Sequence, residues 1–236
     1  MRADGGGPAD TRTMGIVHST LRRDLARTRV ALTTAPYPEG AQRRAIADHL
    51  LALMHFLHVH HRGEDEGLWP MVQRKDPSTV ALVENMEADH ARIAPAISAL
   101  EGAATGYRSG AVTREGLLAA LAGLTDVLLP HLEREETEAM PLVAATLTQR
   151  DWDSYEQDHA IKVKSFVELG DEGQWVLDGL GEADRQVMLG LVPAIPRYVV
   201  LYGFARRYRR KKALLWGDGP ASRIPSLSLA VLRDQQ

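Results

Sequence analysis

Two stretches of the chain carry one pattern: HHRGEDEGLWPMV at residues 60–72 and HLEREETEAMPLV at residues 131–143. They lie 71 residues apart, and each reads His-x-x-x-Glu, then a second acidic residue, then a proline five positions later. Residues four apart lie one above the other on an α-helix, so the histidine and the first glutamate of each stretch share one helix face. The repeat therefore predicts two similar helices, each presenting an imidazole and a carboxylate in the same direction.

Apolar residues recur at steps of three and four through the first 150 residues, which is the periodicity of amphipathic helices. We predict four helices with these limits: Thr11 or Thr13 to just before Pro36, Glu39-Gly40 to Asp76, Ser78 to a glycine-rich loop at Gly102–Gly110, and Thr113 onward. No segment alternates polar and apolar residues as a half-buried strand would, so the predicted class is all-α. Short connections favour an up-down-up-down four-helix bundle with a C-terminal helical extension.

We expect three parts in the chain: a bundle at residues 11–149, a helical extension at 150–217 and a loosely ordered tail at 218–236. The last predicted helix, Arg197–Trp216, carries a basic run at 206–212. This run could reach anionic lipid as a peripheral membrane contact, although a solvated helix end is the favoured interpretation. The stretch 187–205 is apolar enough to suggest a membrane span, but two prolines and an arginine interrupt it, so we do not predict one.

The composition excludes several classes of function. The chain has 28 basic and 31 acidic residues, a net charge of −3, which argues against nucleic acid as the main partner. It has no cysteine, which excludes disulfides, thiolate nucleophiles, iron–sulfur clusters and thiolate zinc sites. The N-terminus lacks the apolar core of a secretory signal, so we expect a cytoplasmic protein. Any metal must bind to oxygen or to the nine histidines.

Two further histidines extend the repeat. His18 precedes His60 by 42 residues, and His90 precedes His131 by 41, each on the helix before its repeat. All four lie in register with the apolar stripes, as do the two glutamates, so we expect them to face the bundle interior. Six buried ionisable groups without partners would be very unfavourable, and a metal centre explains them. The predicted metal ligands are His18, His60, Glu64, His90, His131 and Glu135.

Neighbouring residues compete for these roles. His61 and Asp65 have the same four-residue spacing, but they lie about 100° round the helix from the stripe, so we favour the first histidine and the first glutamate. The same test disfavours Glu136. Asp65 and Glu136 could accept imidazole N–H bonds or face solvent, and both interpretations stay open. We expect the remaining off-stripe histidines of the second helix, His49, His55 and His58, to be solvated or to flank the helix, and we expect His159 to be structural.

The number of ligands indicates two metals. Four imidazoles and two carboxylates exceed the four ligands of a tetrahedral zinc site. Shared between two octahedral ions, with both carboxylates bridging, they fill about eight of twelve positions, and a bridging oxide or hydroxide fills about two more. Roughly one position per metal then remains for a small ligand. Nitrogen and oxygen ligands suit iron or manganese, and they suit zinc less well at this number of ligands, so we predict two ions of iron or manganese.

This set of ligands resembles the hemerythrin-like HHE cation-binding domain over residues 11–149. The resemblance rests on the following order: His18, then His60-x-x-x-Glu64, then His90, then His131-x-x-x-Glu135. It implies a four-helix bundle with two non-haem irons that cycle between Fe2+ and Fe3+ and that meet H2O2, O2 or NO. The region 152–217 resembles an extension found on actinobacterial members, from which no chemistry carries over.

Two positions depart from the oxygen-carrying members of that family. Ala94 stands where those members have a second histidine on the third helix. Glu135 lies four residues after His131, where they have an aspartate five residues after it. The five-histidine set is thus reduced to four, which disfavours stable reversible oxygen carriage and favours a more open, redox-active centre.

We therefore expect a di-iron protein that binds or reacts with a small oxidant, with catalase-like H2O2 disproportionation favoured over O2 or NO binding. One alternative is a ferritin-like di-iron oxidase or iron store, because Glu87-x-x-His90 and Glu156-x-x-His159 have the spacing that such proteins use. That alternative leaves three stripe histidines buried without a role. Another is an oxygen or redox sensor that acts through the C-terminal region.

Overall fold

The structure is a computed structural model that describes residues 5–191 and 198–228. Helices make up most of these residues, and none of them forms a strand. The helices are α1 (Arg12–Thr33), α2 (Gly40–Gly63), α3 (Trp69–Lys75), α4 (Val80–Ser109), α5 (Arg114–Arg134), α6 (Met140–Thr146), α7 (Gln149–Tyr155), α8 (Phe166–Leu177), α9 (Glu182–Gly190) and α10 (Ala205–Trp216). The prediction of an all-α bundle with additional C-terminal helices is confirmed.

The bundle consists of two helical hairpins, α1 with α2 and α4 with α5. The helix α4 is longer than predicted, because it runs through Gly102 and ends at Ser109 instead of giving way to a glycine-rich loop. Gly110 ends it with a φ of 87°, a left-handed conformation that glycine adopts without steric cost. Thr113 then starts α5 by accepting a hydrogen bond from the Gly116 N–H at 3.1 Å.

A π-helical turn interrupts each helix that carries the repeat. Glu64–Leu68 joins α2 to α3, and Glu135–Ala139 joins α5 to α6. A π turn holds one extra residue, so the side chains that follow it are rotated relative to an uninterrupted α-helix. For this reason Val72 and Val143 are fully buried, whereas an uninterrupted α-helix would continue the apolar stripe at Met71 and Leu142.

The bundle core is apolar on both sides of a polar layer. On one side lie Leu21, Leu57, Ile93 and Leu128. On the other side lie Met14, Leu68, Met86 and Ala139. In each of the four long helical runs, the histidine or glutamate of the repeat lies between a member of one apolar cluster and a member of the other. The charged residues of the repeat are therefore enclosed in the middle of the bundle.

The C-terminal extension packs on α1 and α2 through a buried ionic network centred on Asp24. Its carboxylate accepts hydrogen bonds from the Trp175 indole at 2.9 Å, from His49 Nε2 at 2.7 Å and from Arg23 Nε at 2.7 Å. His49 is therefore buried, not solvated as expected, because Asp24 offers it a charged partner.

The described part of the tail, residues 218–228, is ordered against α1, contrary to the expectation of a loose tail. Arg27 donates to the Ile224 carbonyl at 2.8 Å, and the Leu227 N–H donates to the Ser19 carbonyl at 3.2 Å. One backbone carbonyl of the tail thus satisfies a guanidinium that the bundle buries.

One helical run among the described residues, Arg114–Thr146, is long and apolar enough to cross a membrane by length and composition alone. This run is part of the bundle, and its buried face includes Leu121, Leu124 and Leu128. A core helix of a folded domain meets the same test, so the observation is weak support for a span. The stretch 187–205, considered above, falls partly outside the described residues.

Candidate metal centre

The polar layer contains all six predicted ligands and one more histidine. The contributing side chains are His18 from α1, His60 and His61 from α2, His90 from α4, His131 from α5, and Glu64 and Glu135 from the two π turns. Both glutamates are fully buried, and only His60 keeps a noticeable exposed fraction, 11% of its side chain. The repeat places both carboxylates at the first residue of a π turn, an element often found at functional sites.

The two hairpins exchange contacts symmetrically. His18 Nε2 of the first hairpin lies 3.4 Å from Glu135 Oε2 of the second, and His90 Nε2 of the second lies 3.4 Å from Glu64 Oε2 of the first. Within a hairpin, Glu64 Oε1 lies 3.0 Å from His60 Nε2. Each carboxylate therefore contacts histidines of both hairpins.

Two groups of ligand atoms result. In one group His18, His60 and Glu135 each offer an atom, and these atoms lie within 4.8 Å of one another. In the other group the same is true of His61, His90 and His131. Glu64 lies between the groups, with one oxygen facing His60 and the other facing His90. Each group could hold a metal ion, and Glu64 contacts both groups.

His61 joins the centre, contrary to the expectation that it lies off the ligand face. Its ring stacks on His90 with centroids 4.1 Å apart and meets the His131 ring edge at 5.3 Å. The interior face of a bundle helix is at least about 100° wide, so two consecutive residues can both point inward. The sequence contained a signal for this, because His61 aligns with Leu132 in the repeat, and an apolar residue there indicates a core position.

Two acidic residues accept hydrogen bonds from the Nδ1 atoms of candidate ligand histidines, and each bond joins one hairpin to the other. Asp65 accepts a hydrogen bond from His90 Nδ1 at 2.7 Å, and Glu136 accepts one from His18 Nδ1 at 3.0 Å. Arg22 forms an ion pair with Glu136 at 2.7 Å. A proton held on Nδ1 leaves Nε2 with a free lone pair for a cation. The structure therefore selects, for Asp65 and Glu136, the supporting role that the sequence left open.

The electrostatics of the layer favour binding of a cation. Burial lowers the pKa of His60 to about 4 and the pKa of His131 to about 3, so both rings are neutral at pH 7. Burial also raises the pKa of Glu135 well above its usual range, and the nearby Glu64 carboxylate adds to this effect. A bound cation would replace the proton that Glu135 otherwise holds.

Unsatisfied buried atoms converge on the same space. Both oxygens of Glu64 and of Glu135 lack a hydrogen-bond partner of good geometry, as does Nε2 of His61, His90 and His131. Buried polar atoms without partners are rare in folded proteins and need an explanation. Metal ions coordinated by imidazole nitrogen and carboxylate oxygen provide one, so the residues present fit a metal centre.

The spacing that suggested a ferritin-like site does not form a site here. Glu87 is exposed on α4, and Glu156 accepts a hydrogen bond from Thr13 at 2.8 Å. His159 stacks on Tyr155 with centroids 5.7 Å apart and packs over Gly67, so its role is structural, as expected. Trp69, just before the proline of the first repeat, is buried in the apolar core.

Comparisons with known proteins agree with this geometry. The family model described as hemerythrin HHE cation binding domain matches residues 10–143, more than half of the chain. No curated protein and no solved structure matches the chain. The matched residues span both hairpins and every residue of the two ligand groups. The chain therefore belongs to the hemerythrin HHE cation-binding domain family and is a metal-binding protein, with iron as the metal that this family implies.

Proposed function

We propose that the protein is a non-haem di-iron protein that binds or reacts with a small oxidant, and that H2O2 disproportionation is its principal reaction. One observation carries the proposal: two groups of buried ligand atoms share two buried carboxylates. O2 or NO binding is the nearest alternative at the same site.

Each iron has its own set of residues in this proposal. His18 and His60 hold one iron, and His61, His90 and His131 hold the other. Glu64 and Glu135 contact both groups and serve as bridges. Five imidazoles, two bridging carboxylates and a bridging oxide or hydroxide fill about eleven of twelve octahedral positions. The remaining position belongs to the iron with two histidines, so a small ligand binds on the His18 and His60 side.

Irons held by these residues would give two electrons to one peroxide and take two electrons from a second, so that two H2O2 would yield two waters and one O2. The chain supplies two other conditions. The apolar clusters on both sides exclude bulk water from the polar layer. Asp65 and Glu136 fix the orientation of His90 and His18.

The test removes the bridges. The double variant Glu64→Ala with Glu135→Ala should lose most of the iron, whereas the wild type should hold about two irons per chain. Glu66→Ala with Glu138→Ala is the matched control, because these glutamates lie in the same two π turns but are exposed. Iron content is measured by mass spectrometry of metals. The assignment is wrong if the bridge variant still holds two irons per chain.

The choice of oxidant needs its own measurement. The iron-loaded wild type should release O2 from H2O2 in a one-to-two ratio, and both the release and the absorption bands of the iron should disappear in the bridge variant. If O2 or NO instead changes the absorption spectrum and peroxide is not consumed, the protein is a binder of that gas.

A further inference from the structure

A large cavity lies between the bundle and the C-terminal extension. Its volume is about 710 Å³, within the range of small-molecule sites. The bundle contributes residues of α1 and α2, and the extension contributes residues of α7, α8, α9 and the segments between them. Most of the wall is apolar, including Val17, Phe56, Ile161, Leu169 and Met188.

The cavity reaches the metal centre at one ligand. His60 lines the cavity, and its ring stacks on Phe56, another wall residue, with centroids 5.9 Å apart. The other candidate ligands do not line it. His60 belongs to the group with two histidines, where the donor count leaves a position for a small ligand. A molecule in this cavity would therefore lie beside the more open metal.

The charges on the wall disfavour an anion. Lys164 is the one lysine or arginine among the described residues of the wall, and it forms an ion pair with Glu172 at 2.6 Å. Asp153 and Glu156 add carboxylates to the same wall. An anionic ligand would thus meet carboxylates, and the one cation near it already has a partner.

We propose that this cavity binds an uncharged, largely apolar organic molecule with one end against His60. A cavity of about 150 Å³ lined by apolar side chains is enough for benzene, so a volume several times larger accepts a molecule of roughly 10 to 20 carbon atoms. Binding itself depends only on the cavity. Its meaning, an organic ligand beside the reactive iron, rests on the proposed di-iron function.

The test uses a matched pair of fluorescent probes with the full-length protein, both metal-free and iron-loaded. N-phenyl-1-naphthylamine is uncharged, and 1-anilinonaphthalene-8-sulfonate has nearly the same ring system with one negative charge. We expect the uncharged probe to bind with a micromolar Kd and the anionic probe to bind at least tenfold more weakly. The proposal is overturned if the uncharged probe does not bind, or if both probes bind equally.

Variants locate the binding. Leu169→Trp and Ala160→Phe place large side chains in the cavity and should each weaken binding at least tenfold. Val167→Trp is the control for the first variant, because Val167 lies on the same helix but is exposed and is not part of the wall. Circular dichroism and iron content report whether each variant is folded. The proposal is contradicted if Leu169→Trp or Ala160→Phe is folded and binds the uncharged probe as tightly as Val167→Trp does.

A further measurement separates this proposal from the proposed function. In the ferric protein, protons of the bound uncharged probe should relax faster than in the metal-free protein, because iron lies near His60. If the protein binds the probe but does not bind iron, the di-iron function alone is overturned. Iron binding without probe binding would overturn the cavity proposal alone.

Discussion

At the scale of single residues, the two ligand groups differ in the number of imidazoles because of one pair of positions. The repeat aligns His61 with Leu132, and both side chains are buried. The histidine adds a third imidazole to the group that contains His90 and His131, and the leucine adds none to the group that contains His18. The difference in the number of imidazoles between the two ligand groups thus depends on a single side chain.

Replacing this side chain with its counterpart tests the asymmetry. We expect His61→Leu to lower the iron content towards one per chain, because one ligand group loses an imidazole. The leucine side chain still fills the buried space at position 61, as Leu132 does at the aligned position. His58→Leu on the same helix is the control, since His58 is exposed. Iron content and the thermal unfolding midpoint of the metal-free protein are measured together. Two irons held with unchanged affinity in His61→Leu would exclude His61 as a ligand.

At the scale of elements, both π turns position a carboxylate, and the first π turn also packs against the C-terminal extension. A Cβ atom at Gly67 would lie 2.5 Å from His159 Nε2, and a Cβ at Gly63 would lie 3.2 Å from His159 Cβ. The extension therefore approaches the first π turn as closely as glycine permits. Tyr155 stacks on His159 and keeps this contact in place.

A methyl group at Gly67 should disrupt this contact. We expect Gly67→Ala to lower the free energy of unfolding by about 1–3 kcal/mol through overpacking. Gly102→Ala is the control, because it lies in the helix α4 with open space around it and should raise stability by up to about 1 kcal/mol. Urea unfolding measures both. Adding His159→Ala to Gly67→Ala should recover part of the loss, and strictly additive effects would contradict the contact.

At the scale of the whole molecule, buried charges join the extension to the bundle. Asp24 contacts Arg23, Arg27 and His49 at once, and Arg27 also pairs with Asp178 of the extension at 2.7 Å. Burial opposes the ionised form of Asp24, but these partners lower its pKa below the usual range. The network is therefore stable only while each charge keeps its partner.

Removing the central carboxylate should destabilise the whole chain. Asp24→Asn keeps the shape but leaves two buried guanidinium groups without their shared anion, so we expect a loss of about 3–5 kcal/mol in the free energy of unfolding. Asp48→Asn is the control, because Asp48 is half-exposed on α2 and pairs with Arg108 on the surface. Denaturant unfolding at pH 7 is the measurement. Equal stability of the two variants would show that the network contributes nothing.

His49 should make stability depend on pH. Burial lowers the pKa of His49 from 6.5, despite the opposing charge of Asp24. If the ring took up a proton on Nδ1, this N–H would have no acceptor for its hydrogen bond. The unfolded chain therefore binds a proton that the folded chain does not, so this contribution is present above pH 6.5 and is lost as the pH falls towards the folded-state pKa. His49→Gln should show a smaller loss of stability between pH 7 and about pH 5. Parallel stability curves for the two proteins would contradict this assignment.

Much of the fold followed from local pattern. The periodicity of Leu and Ile predicted the four bundle helices, and the ends of α1 and the start of α5 agree with their turn and cap residues. The prediction of a glycine-rich loop from Gly102 was wrong, because a glycine inside a helix costs only about 1 kcal/mol and α4 continues to Ser109. The π turns were not predicted, since a single extra residue leaves the apolar pattern nearly intact.

The sequence by itself determined the helical class, the family and six residues of the buried polar layer, because these depend on spacing along single helices. Only the tertiary structure decided that His61 joins the centre, that His49 is buried, and that a cavity ends at His60. These features depend on which helix lies opposite each face. Spacing along one helix determines which side chains share a helix face. How the helices pack determines which side chains of other helices that face contacts.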